Sequence, residues 1–231
     1  MIALLKYIGQ YLNHPQLIRI PEKIENPTLL LFRLWLISMS AAIIAGIFGS
    51  MLIDFKLIPN PGVASLQDNN LPRIIVVLGP LILGPVIEEL IFRAQLRRFT
   101  GSLIFISFIA GIILSAILQS LWAFMISPFI FLVIFIIYRS ILPKSVSKKF
   151  KYWALLFPWH FHFTAICFAL VHLANFEKGI ALLPYGLLYT LPQLVVGLIF
   201  GFTRMAYGLK YSIALHALYN FLPAMVLILK Y

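Results

Sequence analysis

Six side chains with acid–base or hydrogen-bonding chemistry lie inside apolar stretches of this chain, where polar and ionisable groups are costly and indicate function. They are Glu88, Glu89, Arg93, His172, His216 and Asn220. The apolar segments that carry them predict three different helices. A carboxylate, two imidazoles and a carboxamide from three helices include the groups needed to activate water and to stabilise a tetrahedral intermediate.

The paired acids are the strongest of these signals. Glu89 and Arg93 are four residues apart, so on a helix they share a face and can form an ion pair. Glu88 points about 100° away from that face, and its carboxylate is left without the cation, as suits a general base. Pro80 and Pro85 precede the acids and are expected to loosen the helix, which opens its backbone to water or substrate. The alternative, in which both acids contact one arginine and only join helices, is less favoured.

The histidines are weaker signals when each is considered alone. A single histidine such as His172 on an apolar helix is more often a packed, hydrogen-bonded residue than a catalyst. His216 and Asn220 are four residues apart and share a face, where they can hold a developing oxyanion or form an interhelical hydrogen-bond pair. Together with Glu88, the two histidines also have the composition of a two-His-one-carboxylate zinc site.

The composition requires that these helices lie in a membrane. Of the 231 residues, 62% are hydrophobic and only 11% are charged, whereas soluble domains are about half apolar and about a quarter charged. The net charge of +11 does not indicate nucleic-acid binding, because the basic residues form short clusters between apolar runs. Their distribution follows the positive-inside rule with the N-terminus in the cytoplasm.

Seven segments are apolar enough to span a bilayer, which takes about 20 residues. These segments are 29–52, 74–96, 102–119, 123–141, 153–175, 182–204 and 211–229. The predicted fold is therefore all-α, a polytopic transmembrane helical bundle of about seven spans. We divide the chain into a cytoplasmic or interfacial segment at 1–28, with a short surface helix at 3–13, and a transmembrane domain at 29–231.

Three short motifs carry a family resemblance. Glu-Glu-x-x-x-Arg at 88–93, Phe-x-x-x-His at 168–172 and His-x-x-x-Asn at 216–220 occur in this order. They resemble the signature motifs of the CPBP (CAAX protease and bacteriocin-processing, or Abi) family of intramembrane proteases. The resemblance places a CAAX-protease-like core at about 74–225, into which this chain has inserted the extra helix pair 102–119 and 123–141.

The resemblance implies an intramembrane endopeptidase that cleaves a peptide or membrane-protein substrate. By analogy with the family, Glu88 and His172 activate the attacking water, and His216 and Asn220 stabilise the oxyanion. An alternative is a non-catalytic membrane scaffold or bacteriocin-immunity factor that keeps the family fold. The expected partners are the substrate and the lipid bilayer of a bacterial-type plasma membrane, with no nucleic acid; the sequence does not indicate an oligomeric state.

The resemblance also assigns Glu89 and Arg93 to holding the site together. It favours a glutamate-based mechanism without a cofactor, and a divalent metal such as zinc at Glu88, His172 and His216 is the alternative. One expectation conflicts with a compact site: the span boundaries place Glu88 in the cytoplasmic half of the bilayer and His172 toward the opposite side. A tilted helix, a broken helix or a misplaced span boundary would bring the two together.

Overall fold

The structure is a computed structural model that describes residues 1–18, 22–62, 78–141, 146–177 and 179–230. Within those ranges the chain contains nine α-helices and no β-strand, which confirms the all-α prediction. The α-helices are α1 Ile2–Asn13, α2 Pro27–Asp54, α3 Gly84–Phe92, α4 Phe99–Ile117, α5 Ser127–Ile141, α6 Val146–Val171, α7 Gly186–Tyr189, α8 Leu191–Ala206 and α9 Leu209–Lys230. A π-helix at Gly79–Leu83 precedes α3, and 3₁₀-helices lie at Ala94–Arg97, Leu121–Ile126, His172–Asn175 and Gly179–Tyr185.

Among the described residues, three helices are long and apolar enough to cross a bilayer. They are α2, α4 and the stretch Phe150–Asn175, with mean hydropathies of 2.2, 2.2 and 1.6. A fourth span results if Ala181–Tyr189 and Leu191–Ala206, which are bent by 59°, cross together. The chain is thus a multi-pass membrane protein, while the count of seven spans stays a prediction. Residues 74–77, where the second predicted span begins, lie outside the described residues.

The predicted helix at 3–13 is present as α1 and packs on the bundle. Tyr11 is buried and makes edge-to-face contacts with Phe161 and Phe202 at centroid distances of 5.6 and 5.4 Å. The Tyr7 hydroxyl donates to a Glu22 carboxylate oxygen at 2.5 Å. Burial and this neighbouring carboxylate raise the pKa of Tyr7. The Glu22 N–H donates to the Ala206 carbonyl of α8 at 2.9 Å. The N-terminal segment is therefore tied to α6 by apolar contacts and to α8 by both apolar and polar contacts.

The segment 182–204, predicted as one span, is broken at Thr190. The cause is local, because Pro192 has no N–H to give to the carbonyl of Leu188 four residues earlier and a continuous helix would lose that bond. The Thr190 hydroxyl instead bonds the Gly186 carbonyl at 2.9 Å, and its own carbonyl accepts the first hydrogen bond of α8 from the Leu194 N–H at 2.9 Å. The break sets the first turn of α8 at an angle to α7.

Helix α8 lies at the centre of the bundle, and glycines permit its close approach to α6. Gly197 and Gly201 are four residues apart, the small-xxx-small spacing found where membrane helices approach each other. A Cβ on Gly201 would lie 2.8 Å from Phe161 Cε2, and one on Gly197 would lie 2.8 Å from Phe168 Cδ1. The rings of α6 therefore occupy the space that longer side chains on α8 would need.

Gly201→Ala is expected to destabilise the protein by about 1–3 kcal/mol, the usual cost of overpacking, although alanine favours a helix by about 0.5–1 kcal/mol. The free energy of unfolding in mixed micelles measures the change. Gly9→Ala in α1 is the matched control, since no atom lies within 4 Å of its added Cβ. Equal stability of the two variants would show that the Phe161 contact does not limit the packing of α6 on α8.

Candidate active site

The π-helix before α3 leaves one backbone carbonyl without a helical partner. The Gly84 N–H donates to the Gly79 carbonyl, as a π-turn requires, and the next residue, Pro85, has no N–H to give to Pro80. The Asn220 Nδ2 group of α9 donates to the Pro80 carbonyl at 2.8 Å instead. The two prolines that were predicted to loosen the helix, Pro80 and Pro85, thus lie at the π-turn ahead of the acids. Asn220 of the third motif bonds the Pro80 carbonyl in this turn.

Glu89 is fully buried and lies at the centre of a polar cluster. Its Oε1 atom is 3.1 Å from Arg93 Nη1 and 3.1 Å from His216 Nδ1. Its Oε2 atom accepts a hydrogen bond from the Ser212 hydroxyl. The predicted pairing of Glu89 with Arg93 is confirmed, and because a carboxylate only accepts, the Nδ1 atom of His216 carries the proton in this contact.

Arg93 is buried on every side. Its guanidinium carbon lies 3.8 Å from the centroid of the Phe168 ring, so the cation stacks on the phenylalanine of the second motif. Its Nη2 atom donates to the Gly197 carbonyl of α8 at 3.3 Å. Through Arg93 and its partners the first motif contacts both α6 and α8, and Glu89 bonds α9. The pair therefore lies where four helices meet.

Glu88 points away from this pair, as the helical spacing predicted, and it faces the two histidines. Its Oε2 atom lies 3.9 Å from His172 Nε2 and 3.8 Å from His216 Nε2, and the side chain is 31% exposed. The His172 Nδ1 group donates to the Phe168 carbonyl at 2.8 Å. A carbonyl oxygen only accepts, so Nδ1 bears the hydrogen and Nε2 presents its lone pair toward Glu88 when the ring is neutral.

A cavity of about 410 Å³ opens beside these groups. It is lined by residues of the π-helix, α3, α6, α8 and α9, among them Pro80, Gly84, Glu88, Phe168, His172, Asn175, Gln193, Val196, His216, Tyr219 and Asn220. Glu89 and Arg93 are not part of its wall. Three acid–base side chains, Glu88, His172 and His216, thus line the cavity. The buried pair Glu89 and Arg93 lies behind them, and Glu89 holds the ring of His216 in place.

All six side chains predicted from the sequence lie in this one cluster. The expectation that His172 lies toward the opposite side of the bilayer from Glu88 is wrong, because the two side chains are 3.9 Å apart. α6 ends at Val171, and His172 begins a 3₁₀-turn rather than continuing a straight span. The short helix α3 and its π-turn likewise do not follow the single straight span assumed at 74–96.

Sequence reasoning assigned no role to Ser212 or Gln193. Ser212 precedes His216 by four residues and bonds the same carboxylate, so this spacing was an available signal for it. Gln193 follows the helix break and lines the cavity; its type and position gave no comparable signal, because its neighbours in the site are distant in the chain.

No group of three or more His, Cys, Asp or Glu side chains in the described ranges is arranged to hold a metal ion. The side chains named for the zinc alternative, Glu88, His172 and His216, therefore do not fit a metal site in this arrangement. The two histidines are each engaged through Nδ1, with Phe168 and Glu89 respectively.

Asn220→Ala is expected to destabilise the protein by about 1–3 kcal/mol, because it leaves the Pro80 carbonyl without its donor. It should also lower the activity of the site, since the π-turn leads directly into the helix that carries Glu88. Thermal unfolding in detergent measures the first effect, and Asn13→Ala, at the exposed end of α1, is the control. Indistinguishable melting of the two variants would show that the Asn220 bond does not support the π-turn.

Part of the sequence that forms this cluster matches a known protein family. Residues 136–222 match the model of type II CAAX prenyl endopeptidase Rce1-like proteins, so the chain carries an Rce1-like domain over that range. The match includes His172, His216 and Asn220, whereas Glu88 and its neighbours precede it. Searches of curated proteins and of solved structures give no match. The resemblance to the CAAX protease family is thereby confirmed for the second and third motifs.

Proposed function

We propose that this chain, which carries an Rce1-like domain at residues 136–222, is an intramembrane endopeptidase that hydrolyses a peptide bond of a peptide or membrane-protein substrate. The observation that carries the proposal is the position of the Glu88 carboxylate, which faces the Nε2 atoms of both His172 and His216 at the wall of an open cavity. A partly exposed carboxylate next to two imidazoles has the composition of a site that activates water.

Glu88 and His172 are the pair that would hold the attacking water. Because the Nδ1 group of His172 bonds the Phe168 carbonyl, its Nε2 atom is free to accept a hydrogen bond. A water that donates one hydrogen to Glu88 and the other to His172 keeps its lone pairs for the scissile carbonyl carbon. The carboxylate then takes one proton while the water oxygen bonds to that carbon, and the carbonyl oxygen becomes an oxyanion.

His216 and Asn220 are the groups that would stabilise this oxyanion. The Nδ1–H of His216 is directed at Glu89, so its Nε2 atom can donate only in the protonated ring. Asn220 uses one N–H on Pro80 and keeps a second one for the cavity. These N–H groups are the ones that would donate hydrogen bonds to a negative oxygen beside His216.

Collapse of the tetrahedral intermediate completes the reaction. Glu88 returns its proton to the leaving nitrogen, and the C–N bond breaks as the oxyanion re-forms a carbonyl, which gives a carboxylic acid and an amine. The second proton of the water then passes from the acid to the amine, so the products leave as a carboxylate and an ammonium group. Glu89 and Arg93 touch neither the water nor the substrate in this scheme. They fix the ring of His216 and hold α3 against the other helices, which keeps Glu88 at its distance from both imidazoles.

His172→Ala tests the proposal, with an expected loss in kcat of about 10²–10⁴-fold for the removal of one acid–base group. The assay is cleavage of a farnesylated CAAX-type peptide, and in parallel of an unprenylated leader-type peptide, by purified protein in liposomes. His14→Ala, at the exposed end of α1, is the control and should cleave like wild type. Full processing by the folded His172 variant would favour the non-catalytic scaffold.

A further inference from the structure

Gln193 has a buried polar atom that the fold does not use. It lines the same cavity as Glu88 and His216, in the first turn of α8 just after the break at Thr190. Its Oε1 atom is buried and accepts no hydrogen bond. A buried acceptor without a partner costs about 1–3 kcal/mol, so a group with no structural partner beside a reactive cavity indicates an incoming donor.

The other carboxamides near the site are already committed. Asn220 donates to the Pro80 carbonyl. Gln95, on the far side of α3, donates to the Phe92 carbonyl and accepts from Ser102 at 2.8 Å. Asn175 also lines the cavity, but its side chain is exposed rather than buried. Gln193 therefore differs from these in being both buried at its oxygen and unpaired.

We propose that Gln193 is a substrate-positioning residue whose carboxamide pairs with the backbone of an extended peptide segment in the cavity. This inference rests on the proposed peptidase function. A carboxamide presents one donor and one acceptor side by side, the same pair that a peptide group presents, so two such groups can exchange two hydrogen bonds. The terminal torsion of glutamine is soft, and it can turn its oxygen toward the cavity when a donor arrives.

The helix break gives this residue its position. In a continuous helix through 182–204, the direction of α7 would set the direction of the turn that contains Gln193. The break at Thr190 instead bends the chain by 59°, and Gln193 lies in the cavity wall with Glu88 and His216. A contact to the substrate backbone recognises the extended chain rather than its side chains. The site is thus expected to bind peptides of differing sequence with a similar contribution from Gln193.

The test measures binding without turnover. In the Glu88→Gln background, a fluorescent peptide ending in a farnesylated CAAX box is titrated into protein in nanodiscs. Gln193→Met, which keeps the side-chain length, should weaken binding about three- to tenfold, the range that one or two ordinary hydrogen bonds give. Gln10→Met, on the exposed face of α1, is the matched control and should leave the affinity unchanged.

Ester analogues of the peptide separate a direct contact from a change in cavity shape. Each ester replaces one backbone N–H by oxygen, so one position should weaken binding three- to tenfold when Gln193 is present and have no effect in Gln193→Met. Equal affinity of Gln193→Met and its parent, or an ester effect of the same size in both, would overturn the inference. If wild type cleaves the peptide but Gln193→Met does not change the binding affinity, this inference alone is refuted. If wild type binds the peptide but does not cleave it, the proposed function is refuted.

Discussion

Glu88→Gln is expected to lower kcat for peptide hydrolysis by about 10²–10⁴-fold, the contribution of a positioned general base, while the protein stays folded. The amide has the size of the carboxylate but takes no proton from water. The side chain is 31% exposed, and its Oε2 atom lies 3.9 Å from His172 Nε2 and 3.8 Å from His216 Nε2 without a hydrogen-bond partner. Its loss therefore breaks no direct hydrogen bond that holds the helices together.

The measurement is kcat in liposomes together with the unfolding midpoint of each variant in detergent. Glu25→Gln makes the same chemical change at an exposed position before α2 and should leave both quantities unchanged. Glu88→Gln should share the midpoint of Glu25→Gln but not its kcat. If Glu88→Gln retained wild-type kcat, Glu88 would not be the base and the water-activation scheme would be wrong, whatever the stability of the variant.

The local parts of this site follow from helical spacing and were predictable. The four-residue spacing of Glu89 and Arg93 puts them on one face, and the structure places their nearest atoms 3.1 Å apart. The same spacing separates Ser212 from His216, and both bond Glu89. Within one helix, geometry is fixed by the backbone, so residue types and their separation are sufficient to predict which side chains point together.

The contacts between distant segments were not predictable in this way. Asn220 bonds the Pro80 carbonyl across 140 residues, and Arg93 bonds the Gly197 carbonyl across 104. Hydropathy identifies a segment as apolar but does not indicate which of its faces meets lipid and which meets another helix. The π-turn at Gly79–Leu83 and the 3₁₀-turn that begins at His172 replace parts of the straight α-helical spans assumed from length.

The number of membrane crossings is likewise harder to predict than the helices themselves. Segments such as 29–52 and 102–119 are helical over most of their predicted length, in α2 and α4. The segment 182–204 is apolar enough for one span but contains the Pro192 break. The proline was visible in the sequence, whereas the direction of the bend depends on packing between α8 and its neighbours. Apolar length alone therefore predicts helices better than it predicts spans.

Arg93→Met is expected to lower the free energy of unfolding by about 3–5 kcal/mol, the usual effect of removing one partner from a buried ion pair. Glu89 is fully buried and would keep its charge with only Ser212 and His216 as partners. The variant also loses the bond to Gly197 and the stacking on Phe168. Arg98→Met, at an exposed position after the 3₁₀-turn, is the control and should change the stability by less than about 0.5 kcal/mol.

The double variant Glu89→Gln with Arg93→Met isolates the unpaired charge from the lost packing. A neutral amide at position 89 still reaches Ser212 and needs no cation, so the double variant should be more stable than Arg93→Met alone by about 1–4 kcal/mol. Unfolding in mixed micelles measures all four proteins of the cycle. A double variant no more stable than the single one would show that the stacking of Arg93 on Phe168 and its bond to Gly197, rather than charge pairing with Glu89, hold α3 in the bundle.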